Sequence, residues 1–306
     1  MANKLVTLSR SCLFILSLVA TVSAQQVADP HFNAHVDNPA FGKNFPRVLF
    51  DEAHNNFHTT TGRYKPFADL LFNDGYHVVV NRKSFAKESL QTFKILVISN
   101  ALGAEDMDDD GADGPAFSEG ECDAVYDWVR GGGALLLIAD HAPFGAAAEI
   151  LARRLGVNMS KGFTTDAVNA AKAWNSESIL VYSRENHLLG DGPITNGRSA
   201  RERVNQVITF TGQSLKGPDG SEAFLKLADT AVDHIPPPGK DVSAAGRAQG
   251  IAFRLGKGRV VVLGEAGMLS AQLTGINNRP FGMNVPDIDN RQLALNIMHW
   301  LSGIIK

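Results

Sequence analysis

Acids, amides and imidazoles follow four short apolar runs in this sequence. Asp51, Glu52, His54 and Asn55 come after Arg47-Val-Leu-Phe50, and Asn100 comes after Ile95-Leu-Val-Ile98. Asp140 and His141 come after Leu135-Leu-Leu-Ile138, and Glu265 after Arg259-Val-Val-Val-Leu263. Imidazole with carboxylate suits a divalent metal such as zinc. The same groups do general acid–base work when their surroundings hold one carboxylate protonated and another ionised. Each also has a structural use: Asp51 and Asp140 as helix caps, the histidines as hydrogen-bond partners of loops. No compact metal motif of the His-Glu-x-x-His kind occurs.

These residues act together only if their strands lie side by side. Leu135 to Ile138 has no polar face, as in a strand covered on both sides. Apolar runs at 47–50, 76–80, 95–98 and 259–263 alternate with helical patterns. Pro66 opens one helix, which Gly75 stops; Ser118-Glu-Gly-Glu121 is a capping box that opens the next. Asp289 with Gln292 caps a last helix, whose buried face is Leu293, Ile297, Trp300 and Leu301. This rhythm predicts an α/β fold, a flavodoxin-like three-layer sandwich with a mostly parallel sheet. In such sheets ligands bind beyond the carboxyl ends of the strands, where the polar residues fall. Gly256-Lys-Gly258 predicts a hairpin. Residues 161–203 break the rhythm and read as an excursion over the strand ends.

Three further features bear on chemistry. Asp106, Asp108 and Asp110, followed by Gly111, match the first half of a calcium loop, although the twelfth position is Phe117 rather than glutamate. Bound calcium would order a loop beside the cleft; otherwise this is a solvated acidic loop. Gly131-Gly-Gly133 precedes its strand, whereas phosphate loops follow one, so it reads as a helix stop. Nucleophile signatures are missing: the turn 139–143 reads Ala-Asp-His-Ala-Pro, Cys122 lies on an apolar helix face, and Ser214 lacks the second elbow glycine. Trp174 is read as packing, with a sugar-stacking platform as the alternative.

Lys4 and Arg10 before the apolar run Cys12 to Val19, then Val22-Ser-Ala24, form a secretory signal peptide over 1–24, too short to span a membrane. A leader over 25–46 and a single domain over 47–306 follow. The protein is thus expected to be secreted or periplasmic, with no integral membrane segment after cleavage. The net charge of −3 and the lack of any basic run argue against nucleic acid. Cleavage leaves Cys122 alone, so no internal disulfide forms, and stability rests on a core that 44% hydrophobic residues can supply.

The segment Trp128 to Gly145, with Val48 to His54, Gly258 to Glu265 and Asn290 to Leu301, resembles the class I glutamine amidotransferase-like fold. The resemblance covers most of Arg47 to Ser302, leaves out 161–203, and points to uncharacterised secreted or lumenal members. It implies a Cys-His-Glu triad in true amidotransferases; no cysteine stands at the elbow here, so glutaminase activity is not implied. The first expectation is a non-glutaminase domain that binds a polar small molecule or carbohydrate in a cleft of Asp51, Glu52, His54, Asn55, Asn100, Asp140, His141 and Glu265. The second is a hydrolase, with or without a divalent metal, using His141 or His54 as base and Glu265 or Asp140 to orient it. The third is a structural domain of an envelope assembly.

Overall fold

Apolar strand interiors pair with one another because their backbone groups have no other partners once buried. The computed structural model describes residues 26–43, 45–236 and 239–306. Its main sheet has nine strands. From one edge the order is His77–Asn81, Arg47–Asp51, Ile95–Ser99, Ala134–Ile138, Gly258–Leu263, Ala248–Leu255, Leu215–Lys216 and Asn158–Met159, and Glu222–Lys226 also pairs with Ala248–Leu255.

The fold is mixed α/β. The first five strands are parallel, but the remaining pairings are antiparallel. The sheet is therefore parallel over about half its width, not over most of it. The cause is the hairpin read at Gly256. A two-residue link between Leu255 and Gly258 can join only antiparallel strands, and Gly256 adopts a φ of 59° to make it. The chain then adds short reversed strands beyond it.

Successive side chains point to opposite faces of the sheet. Val48, Phe50, Val97 and Leu136 pack with the helices Lys65–Asn73 and Asn290–Ser302. Leu49, Leu96, Leu135 and Leu137 pack with the helices Glu119–Gly131 and Glu149–Arg154. The capping box forms: Ser118 Oγ accepts from Glu121 N, and Glu121 Oε2 accepts from Ser118 N at 3.0 Å. Asp289 does not cap its helix. Its Oδ2 accepts instead from Asn205 N at 2.7 Å and Gln206 N at 3.1 Å, tying the helix start to the strand Gln206–Phe210. Among the described residues no helix is long and apolar enough to cross a membrane.

Two segments outside the alternating pattern complete the strand-end side. In the leader, Val27–Ala28 pairs with Ala271–Thr274, which pairs in turn with Arg279–Gly282. In the excursion, Ile179–Ser183 pairs with Gln206–Phe210 and shares the core of the Asn290–Ser302 helix. The signal sequence read over 1–24 lies outside the described residues.

Candidate functional site

Leu263 stands opposite Ile138 in parallel register, so Glu265 and Asp140 leave neighbouring strands at the same level. Both are buried, Asp140 at 8% exposure and Glu265 at 0%. Asn100, in the left-handed region at φ 49°, accepts the Asp140 N–H on its Oδ1 at 3.0 Å. Asp140 Oδ1 accepts from His141 N at 2.7 Å, and Oδ2 from Ala266 N at 3.3 Å. Glu265 accepts from Gly267 N at 2.5 Å and Met268 N at 2.8 Å, capping the short turn Gly267–Leu269. Gln213 fixes the Asp140 loop from below. Its Nε2 donates to the carbonyls of Ala139 and Asp140 at 2.9 and 2.8 Å, and its Oε1 accepts from Lys161 N at 2.8 Å.

Burial pushes Asp140 up to about 6, against the pull of His141 and the backbone donors. Burial and then the charge of Asp140 push Glu265 well above the carboxylate range, although it too accepts backbone N–H groups. Among the described residues neither carboxylate has an ion-pair partner. Two neighbouring buried carboxyls without a cation resist ionising together, so each raises the cost of charging the other.

A cleft of about 570 Å³ opens over this pair. Asn100 and His141 line it with Asp140 and Glu265, so four of the anticipated residues meet. Gln26, His58, Arg63 and Gln272 add polar groups; Phe57, Phe144, Phe210, Phe281 and Met107 add apolar walls. Other clefts are as large, at about 610 and 660 Å³, so it is the buried carboxyl pair that singles this one out.

The residues after the strand Arg47–Asp51 do not join the cleft. That strand is separated from Ala134–Ile138 by Ile95–Ser99, and its loop turns toward the start of the helix Glu119–Gly131. His54 is held there between two acids, Nδ1 2.8 Å from Asp51 Oδ2 and Nε2 2.9 Å from Glu121 Oε1. Phe85 and Phe117 cover its ring. Glu52 Oε1 accepts from Thr60 N and Thr60 Oγ1, both at 2.7 Å, and Asn55 is exposed at φ 48°. His54 is therefore a buried clamp and not a base in the cleft. The same loop then returns, since Phe57 N donates to Asn100 O at 2.9 Å, and delivers Phe57, His58 and Arg63. Reading the sequence past Asn56 to Phe57-His58 and Arg63-Tyr64 is the signal that would have found them.

His58 is buried, its Nδ1 3.1 Å from Ser99 Oγ and its ring stacked on Tyr64. Burial, and then the charge of Arg63, push it down to about 3, so it is neutral. Arg63 donates Nε to Gln26 O at 3.3 Å, and its guanidinium lies 4.2 Å over the Phe57 ring.

In the acidic loop, Asp106, Asp108 and Asp110 do not converge; among the described residues no three acidic, His or Cys side chains are placed to share a metal ion. Asp106 Oδ1 accepts from Met107 N and Asp109 Oδ2 from Asp106 N, so the loop closes on its own backbone and brings Met107 to the cleft. Trp174 packs edge-on behind Phe210 and Phe281, with Arg279 over its face, and does not line the cleft. Ser214 is fully buried and donates to Asp233 Oδ2 at 2.5 Å, away from the cleft.

No protein-family model and no curated protein sequence matches the chain. Among solved structures, the N-terminal domain of mmIFT52 is similar at 13% identity with a TM-score of 0.57, over 84% of this chain and 97% of that one. A GMP synthase-like protein from Thermoplasma acidophilum is similar at 12% identity with a TM-score of 0.43, over 86% of this chain and 97% of that one. A ThuA-like protein from Bacteroides uniformis is similar at 13% identity with a TM-score of 0.41, over 87% of this chain and 93% of that one. What the chain shares with the first of these is a mixed α/β fold, and at that identity the likeness is one of fold alone.

Proposed function

We propose that this is an exported ligand-binding protein of the flavodoxin-like, class I glutamine amidotransferase-like kind that performs no glutaminase chemistry. Its cleft takes a polar small molecule, of which carbohydrates are one class. The observation that carries this reading is the buried Asp140–Glu265 pair opening into a cleft walled by four phenylalanine rings. Apolar walls with a few convergent polar groups are what small-molecule sites are made of. Glutaminase chemistry is left out because no cysteine stands at residues 139–143, and Cys122 is packed inside a helix. A thermal-shift screen of sugars and other polar metabolites tests the reading. Stabilisation should appear in the wild type and vanish in His141→Ala with the ligand-free fold intact. A screen that shifts neither protein defeats it.

A hydrolase at the same cleft is the second reading, favoured by one observation. Asp140 and Glu265 leave neighbouring strands at the same level, and with Asp140 raised to about 6 and Glu265 raised well above the carboxylate range the pair is suited to take a proton from an attacking water. Turnover of a hydrolysable analogue of a ligand found by the screen, abolished in Asp140→Asn, separates catalysis from binding.

A further inference from the structure

Three groups in the cleft are left incompletely matched, two carboxyls that accept backbone N–H groups but face no cation and one amide oxygen with no donor. Two are Asp140 and Glu265, carboxyls without a cation. The third is Gln272, at 1% exposure, which lines the same cleft and whose Oε1 has no hydrogen-bond partner among the described residues. The orientation of that amide follows from its neighbour. Ser270 Oγ donates its proton to Gly267 O at 2.7 Å, so it can only accept from Gln272, whose Nε2 lies 2.7 Å away. The oxygen is therefore the free end.

The basic groups of the cleft wall are not paired with these carboxyls. Arg63 rests on Phe57 and donates to Gln26 O. His58 is neutral beside Ser99, and His141 Nδ1 lies 2.7 Å from Ala142 O. Tyr64, which packs against His58, donates its hydroxyl to Ala266 O at 2.7 Å. An incoming anion would meet the two carboxyls, and the one arginine of the cleft wall, Arg63, lies over the Phe57 ring and is paired with neither of them.

We infer that the ligand of this cleft carries a primary ammonium group, received by Asp140, Glu265 and Gln272. A primary ammonium has three N–H donors and no acceptor, and an amino sugar or arylalkylamine presents one on a compact body. The phenylalanine walls exclude water from the charge pair and accept a cation on their faces, as Phe57 already does for Arg63. This rests on the reading of the cleft as a small-molecule site and narrows it to cationic amines.

The test uses titration calorimetry and thermal shift on the full protein with two amines, glucosamine and phenethylamine, and their uncharged twins, glucose and 2-phenylethanol. At least one amine should bind about tenfold or more tightly than its twin, and Asp140→Asn should lose that margin. Gln272→Leu should melt higher than the wild type without ligand, because a buried unpaired oxygen is gone, yet bind the amine more weakly. A twin that binds as well as its amine overturns the ammonium assignment and leaves the polar-ligand reading standing. Amines that bind equally to wild type and Asp140→Asn, or not at all, overturn the assignment too. Only failure of every probe, charged and uncharged, counts against both readings.

Discussion

Glu121 Oε1 lies 2.9 Å from His54 Nε2 across 67 residues of chain, and the other ring nitrogen is closed by Asp51 at 2.8 Å. Burial alone would lower the His54 pKa, but the two carboxylates outweigh it and the pKa is raised. Burial would raise Glu121, but donors from His54, Ser118 and Phe85 bring it down to about 2. The signs then define a window. The His54 contribution is complete below the ordinary value of 6.5 and is lost as pH rises through its raised pKa. The Glu121 contribution is complete above 4.5 and is lost as pH falls toward 2. The clamp is therefore strongest between these limits. His54→Ala leaves the buried Asp51 facing the half-buried Glu121 without a cation between them and should cost about 3 kcal/mol in urea unfolding near pH 6. A loss that does not vary with pH would show that packing between Phe85 and Phe117, not charge, holds the ring.

The carboxyl pair behaves oppositely. Asp140 is raised on folding from 3.8 to about 6, so the folded state binds the proton more tightly. Stability from this group is full below about pH 4, falls as pH rises, and is lowest above about 6, a swing on the order of 3 kcal/mol. Asp140→Asn removes the swing and relieves Glu265 of its charged neighbour. Chemical denaturation from pH 4 to 8 should show the variant matching the wild type at the acid end and exceeding it at the neutral end.

Gln213 holds the Ala139–Asp140 turn by two carbonyls, and Gly145 gives the amide its space, since a Cβ there would collide with it. Gln213→Ala leaves buried carbonyls unpaired and should cost about 2 kcal/mol. Gly145→Ala should displace the same amide. Both variants should weaken ligand-induced stabilisation while Asp140 is still present, which distinguishes a displaced carboxylate from a removed one.

Cys122 is buried, and burial, with a further push from Glu119, raises its thiol to about 11. It should resist maleimide in the native protein at neutral pH and react only on unfolding. Rapid native labelling would mean that the Glu119–Gly131 helix opens locally.

The half of the site that the sequence discloses is the half set by strand periodicity. Unbroken apolar runs mark Ala134–Ile138 and residues 260–263, and residues just past such runs must surface at the end of the sheet, so Asp140, His141 and Glu265 are legible. Asn100 follows by the same logic. His54 escapes it because its direction depends on Glu121, a partner from a distant helix whose local pattern announces only a capping box. His58, Arg63, Phe210 and Gln272 come from loops and from short strands of the small sheets, where no period tells which side chain turns inward. The reversed half of the sheet is hidden for a similar reason: Asn158–Met159 and Leu215–Lys216 are too short to show alternation.

Gln26 is both part of the cleft wall and the neighbour of Val27–Ala28, which is stitched onto Ala271–Thr274. At the opposite pole, Arg259 Nη1 holds the carbonyls of Trp300 and Ile305 beside the beginning of its strand. A tag joined directly to Gln26 therefore starts beside the cleft, whereas an affinity handle appended after Lys306 starts from the far side. Carboxy-terminal tagging is the arrangement that adds nothing next to the cleft wall when ligands are screened.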